Sequence, residues 1–164
     1  MIRKLLPVGW LLFFLWVTAT SYNLTKAFHI DDTFHLEAAQ HLSQHPLKPM
    51  SGYINWEEIP QPMWQFNQPP LYFYGVAIAA KVVGYTEWGL HLFQSVFVGL
   101  ALFFFSRMTR LLQPGYVHLA LFGLAFSPAF WVNQNLMIDI PLLSLSTGMV
   151  YFMLRDSRHR GGIT

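Results

Sequence analysis

Hydrophobic positions in this chain fall into long blocks, and polar residues collect at the block ends. The first block, residues 5–25, runs 21 residues without a charge. At about 1.5 Å of rise per residue, such a helix covers roughly 30 Å of hydrocarbon. Three more uncharged blocks follow at 88–106, 117–132 and 140–154. The last is short, but Pro141 suits a first helical turn and Arg155 can snorkel. Pro128 predicts a kink in the block before it. A shorter apolar run, residues 69–80 (PPLYFYGVAIAA), lies between Gln68 and Lys81, with Gly84 soon after. Its length suits an interfacial or re-entrant helix better than a span. The stretch after Asp32 carries a different pattern. Phe34, Ala38 and Leu42 recur every four positions, with Ala39 beside them, which predicts an amphipathic helix lying along the membrane surface.

The predicted fold class is therefore all-α integral membrane, with about four transmembrane helices. Amphipathic juxtamembrane helices fill a long first external loop. Residues 1–164 read as a single membrane domain with spans near 5–22, 88–106, 117–135 and 140–154 and an external loop at 23–87. The N-terminus has the basic start and apolar core of a signal peptide. Its length and the bulk of Trp10 and Trp16 favour a retained anchor.

Composition strengthens this picture. The chain is 54% hydrophobic and 17% aromatic, with only 11% charged residues. A soluble domain carries about a quarter charged residues. The net charge of +2 is small and the basic residues are scattered, so nucleic acid is not an expected partner. Without cysteine, disulfide and thiol chemistry are excluded.

Charge placement sets sidedness. With a cytoplasmic N-terminus and no crossing at 69–80, Arg3, Lys4, Arg107, Arg110, Arg155, Arg158 and Arg160 lie inside. Lys26, Lys48 and Lys81 lie outside, a ratio of 7 to 3. A crossing at 69–80 inverts it, so the positive-inside rule favours four spans with both termini cytoplasmic. The expected location is a multi-pass protein of a bacterial cytoplasmic membrane. Asp31, Asp32 and Asp139 then share the external surface.

The candidate chemistry centres on FHIDDTFHLEAAQH, residues 28–41. Asp31 or Asp32 can cap the predicted helix, where a carboxylate accepts from free amides at the positive dipole end. A cap explains one aspartate well and two poorly. A metal site is another reading, because His29, Asp31, Asp32, His35, Glu37, His41 and His45 are all potential ligands. No HExxH pattern is present, however, and no cofactor is expected. Further along, Trp56, Trp64, Phe66, Tyr72, Phe73 and Tyr74 read either as an interfacial belt or as the lining of a lipid or sugar groove. Asp139 stands at the mouth of a span, where an acid is either functional or an N-cap.

Taken in order, these segments resemble the N-terminal part of the GT-C glycosyltransferases. The similarity is to protein O-mannosyltransferases, bacterial aminoarabinose transferases and related sugar transferases. The residues that carry it are DDTFHLEAAQHL, NQPPLYFYGVAIAAKVVG, TEWGLHLFQSVFVGLALFFFSRMTRLL and SPAFWVNQNLMIDIPLL. The resemblance implies a multi-span helical protein that transfers a sugar from a dolichyl- or undecaprenyl-phosphate carrier to a lipid, glycan or protein acceptor. It also implies Asp31 as the catalytic base, Asp32 as the acid beside it and Asp139 as the second acidic motif. A carboxylate in hydrogen-bond reach can take the proton of an attacking hydroxyl, and a neighbouring acid raises its basicity.

The departing phosphate needs donors or positive charge. Where the aminoarabinose transferases carry an arginine in the acidic helix, Phe34 stands here. Before the double proline they carry a lysine and the mannosyltransferases a histidine, where this chain has Gln68. The substrate-binding set is then His29, His35, Glu37, Asn67 and Gln68. Relatives are several times longer, so the chain is expected to be a portion of a transferase or to work with a partner subunit. The alternative is a small non-catalytic membrane protein that binds lipid or serves assembly.

Overall fold

The computed structural model describes residues 6–55, 59–66, 68–132 and 134–161. These residues are mostly helical. The α-helices are α1 (Val8–Asn23), α2 (Ile30–Gln44), α3 (Leu71–Val83), α4 (Glu87–Leu112), α5 (Val117–Ala125), α6 (Pro128–Val132) and α7 (Asp139–Gly161). A minimal antiparallel pair, β1 (Tyr53–Ile54) and β2 (Gln61–Pro62), sets Tyr53 against Pro62 and Ile54 against Gln61. The chain divides into two compact units. One comprises residues 24–94 and 135–138. The other comprises residues 1–23, 95–134 and 139–164.

The first unit is built on α2 and α3. The apolar stripe read from the sequence is buried: Phe34 and Leu42 are nearly inaccessible, and Ala38 and Ala39 wholly so. Its cover is protein, where the pattern had predicted a membrane surface. Tyr72, Phe73, Val76, Ala77 and Ala80 of α3 join the stripe in one core with Ile54, Met63, Leu90 and Leu136. Phe34 lies edge-on to Phe73 and Phe66, with centroids 5.9 and 5.1 Å apart. Such pairings suit the ring quadrupole. Helix α3 stops at Gly84, whose φ of 72° is a left-handed conformation that favours glycine. Its 13 residues fall short of the roughly 20 needed to cross a bilayer.

The second unit gathers α1, the later turns of α4, α5, α6 and α7. Leu11, Leu15 and Ala19 of α1, four residues apart, share a core with Val98, Ala101, Leu102, Val117, Leu121, Ala125, Phe130 and Ile140. Trp16 donates from its indole to the Ser95 carbonyl at 2.8 Å. The expected kink at Pro128 is a full break. Ser127 Oγ donates to the Leu124 carbonyl at 2.9 Å and accepts from the Phe130 N–H at 3.3 Å, ending α5 and starting α6. Pro128 fits the first turn because no amide partner is needed there.

Helix α6 ends at Val132, and residues 135–138 belong to the first unit. Bulky apolar side chains remain exposed on these helices, among them Trp10, Phe13, Phe14, Leu119, Leu142 and Met153. Among the described residues, α4 alone is both long enough and apolar enough to cross a membrane by length and composition.

Candidate functional site

The site grows from the start of α2. His29 is the cap residue, with extended backbone (φ −75°, ψ 160°). Asp32, three positions on, reaches back and accepts from the His29 N–H at 2.7 Å. This is one half of a capping box. The capping role expected of an aspartate thus falls to Asp32, at the third helical position, and leaves Asp31 out of it.

The two acids differ in environment. Asp32 has no accessible surface, whereas 36% of the Asp31 side chain is exposed. Burial pushes the Asp32 carboxyl above its ordinary value of 3.8. The backbone amides of His29 and Leu136 oppose that rise, as does positive charge on His91 and His35. Asp31 Oδ2 lies 3.2 Å from Nδ1 of His29, and the same nitrogen lies 3.3 Å from the Asp31 N–H. One nitrogen cannot serve both. A neutral ring accepts from the amide; a protonated ring donates to the carboxylate.

Below the acidic turn lies a set of polar groups that the sequence pattern did not single out. His91 and Gln94 of α4 are buried, as is Asn135. Gln94 accepts from the Tyr72 hydroxyl at 2.8 Å and donates to the Met137 carbonyl at 2.9 Å. Lys26 donates to Asn135 Oδ1 at 2.5 Å. The His91 ring packs against Phe28 with centroids 5.8 Å apart. A signal for His91 and Gln94 was present in the sequence. Two polar residues three apart in an otherwise apolar block must face a polar partner or lose hydrogen bonds.

The remaining sequence candidates scatter. His35 is 4% exposed and sits among the rings of Phe34, Tyr72 and Phe73, with Nδ1 3.1 Å from the Asp31 carbonyl. Direct phosphate contact from that position is blocked by its own packing. Glu37 accepts from the Asn55 N–H at 3.2 Å, which ties α2 to the segment after β1. Gln68 is half-buried, and Asn67 lies outside the described residues. Asp139 is the exposed first residue of α7, with its charge at the positive helix end.

Of the aromatic run, Phe66, Tyr72 and Phe73 pack in or against the core and Trp64 is exposed, while Trp56 lies outside the described residues. His41 and His45 stack at 4.6 Å. Among the described residues, no three His, Asp or Glu side chains are grouped as a metal site requires.

The family model for dolichyl-phosphate-mannose-protein mannosyltransferase matches residues 67–161, more than half of the chain. The chain belongs to this family. Membership makes it a GT-C type, mannosyltransferase-like protein of a membrane-embedded family that uses a polyprenyl-phosphate sugar donor and, in general, a protein or glycan acceptor. The matched segment includes Gln68, α3, α4 and Asp139 and begins after the acidic turn of α2. No curated protein and no solved structure matches the chain.

Proposed function

We propose that the chain takes part in sugar transfer from a polyprenyl-phosphate carrier to a hydroxyl acceptor at the external membrane face, with Asp31 as the general base. The observation that carries this reading is the division of labour within the acidic pair. Asp32 is buried, and its Oδ2 holds the helix start, so this carboxylate is turned into the fold. Asp31, one residue away, keeps an accessible carboxylate beside a histidine. An attacking hydroxyl needs such an acceptor within about 3 Å.

His29 lies beside Asp31, with Nδ1 3.2 Å from the Asp31 carboxylate. In its protonated form it can donate to a departing phosphate, and Gln68 and Asn67 remain neutral donors for the same task.

The topology belongs to the same proposal. Helix α1, helix α4, the α5–α6 pair and α7 correspond to the four spans, and residues 23–87 form the external loop. The exposed apolar side chains of the second unit favour lipid as its solvent. The length of α3, ended by Gly84, favours a segment that does not cross.

The test is Asp31→Asn, assayed for mannosyl transfer in membranes. Transfer should fall about a hundred-fold or more, the usual loss for a general base. Expression and thermal stability should match the parent, because Asp31 makes no core contact. Near-normal transfer in this variant would overturn the assignment.

A further inference from the structure

The C-terminal ends of α4 and α7 meet in the second unit, and arginine collects there. Between residues 95 and 164 the sequence holds five arginines, Arg107, Arg110, Arg155, Arg158 and Arg160, against two acids, Asp139 and Asp156. Asp139 starts α7 and so stands at its other end. Asp156 is paired with Arg160 at 3.0 Å. Arg158 donates to the Leu111 carbonyl at the end of α4. Arg107 and Arg155 behave differently. They come from separate helices and converge on one buried side chain, Tyr151, which is 5% exposed. The guanidinium carbon of Arg107 lies 5.8 Å from the Tyr151 ring centroid, and that of Arg155 lies 5.9 Å from it. Nη2 of Arg107 is 3.5 Å from the Tyr151 hydroxyl. Arg155 also stands over Phe152 at 5.2 Å.

The helix contact itself brings the two guanidinium groups together. Phe104 of α4 packs beside Tyr151 and Phe152, with centroids 6.2 and 5.8 Å apart. Gly148 permits this approach, because a Cβ there would lie 3.0 Å from the Phe104 ring. Two like charges gathered on one ring repel each other. The ring face offsets part of that repulsion by cation–π attraction. Among the described residues, no carboxylate pairs with either arginine. Both are exposed, so an anion from outside can reach them.

We infer that Arg107 and Arg155 form a binding site for the phosphate of an anionic membrane lipid. The inference rests on α4 and α7 lying in lipid, as in the topology proposed above, and does not depend on sugar transfer. A guanidinium suits phosphate because its planar fork donates two parallel N–H bonds. A phosphate shared by the two forks also relieves their mutual repulsion. The surroundings favour a lipid over a free anion. Phe103 and Phe152 lie one helical turn before Arg107 and Arg155, and both are exposed. Acyl chains therefore have an apolar surface next to the point where the headgroup is held. Basic clusters at the end of a membrane helix are a recurring form of headgroup site.

The experiment measures lipid retention by the full chain. The protein is placed in nanodiscs of equal parts phosphatidylcholine and phosphatidylglycerol and then extracted into detergent. Native mass spectrometry counts the lipid that stays bound. The parent should retain phosphatidylglycerol in preference to phosphatidylcholine. Arg107→Gln and Arg155→Gln, on different helices, should each lower that retention about ten-fold, the effect of losing one charge-assisted bond. Arg110→Gln removes the same charge from the same helix end, away from the Tyr151 ring. Its retention should stay within about two-fold of the parent, as for an exposed surface charge. Thermal midpoints in pure phosphatidylcholine nanodiscs show which variants are folded, and either arginine variant alone decides the matter.

A parent that retains both lipids equally overturns the site. So does undiminished retention in a folded Arg107→Gln or Arg155→Gln. An equal loss in Arg110→Gln also overturns it, since that is the mark of diffuse charge attraction. Displacement of the lipid by millimolar inorganic phosphate makes the site one for a free anion and overturns the lipid assignment. Failure of the parent to enter nanodiscs removes the span assignment of α4 and α7, and this site with it.

Discussion

Asp31 and Asp32 are chemically identical neighbours that the backbone sends to different environments. At the second and third positions of α2, successive side chains point about 100° apart around the axis. One reaches back under the helix start and the other outward. The buried acid has a thermodynamic signature. Its folded-state value lies above the unfolded value of 3.8, so the folded chain binds the proton more tightly. Asp32 therefore contributes stability when protonated, and that contribution is lost as pH rises through its folded value. Chemical unfolding of the parent and of Asp32→Asn across this range should show the parent gaining relative stability on acidification, with the gain levelling off below about 3.8. A constant difference between the two proteins would contradict the burial argument. Fold and chemistry pull in opposite directions here, because the proton that relieves the buried charge also weakens the acidic turn.

Helix α2 illustrates what an amphipathic pattern can and cannot specify. Its stripe was legible from the four-residue spacing of Phe34, Ala38 and Leu42. The identity of the surface that covers the stripe was not, because membrane and protein present the same apolar chemistry. Helix α3 supplies that surface, and Phe73, 1% exposed, is the largest of its fully buried side chains. Phe73→Ala should cost about 3–5 kcal/mol of the stability of this unit, the usual cost of an aromatic cavity. Hydrogen exchange at α2 and α3 amides should accelerate together. Loss of protection confined to α3 would mean that the two helices do not share a core.

Across the whole molecule, the proposed arrangement commits residues 23–87 to one side of the membrane and the tail after α7 to the other. The chain contains no cysteine, so single probes report without background. A membrane-impermeant maleimide added to intact cells should label Ser51→Cys and leave Ser157→Cys unlabelled until the membrane is opened. Labelling of both from outside would require an even number of crossings between them, against the three proposed, and break the four-span assignment. The 7 to 3 distribution of basic residues makes this a definite expectation, since short basic loops resist translocation.

The sequence by itself determined the helical blocks, the scarcity of charge, the apolar stripe of α2 and the family to which 67–161 belongs. Each is a local or compositional property, and local properties survive in a single chain read end to end. Tertiary structure decided which aspartate is buried, that the stripe meets α3, and that His91 and Gln94 lie beneath an acidic turn some 60 positions earlier in the chain. It also broke the third block at Ser127 and Pro128 and drew Asn135 away from it. The physical reason is the same in each case. Burial and hydrogen-bond satisfaction are settled between elements, so a residue's partner, unlike its pattern, is fixed only when distant parts of the chain meet.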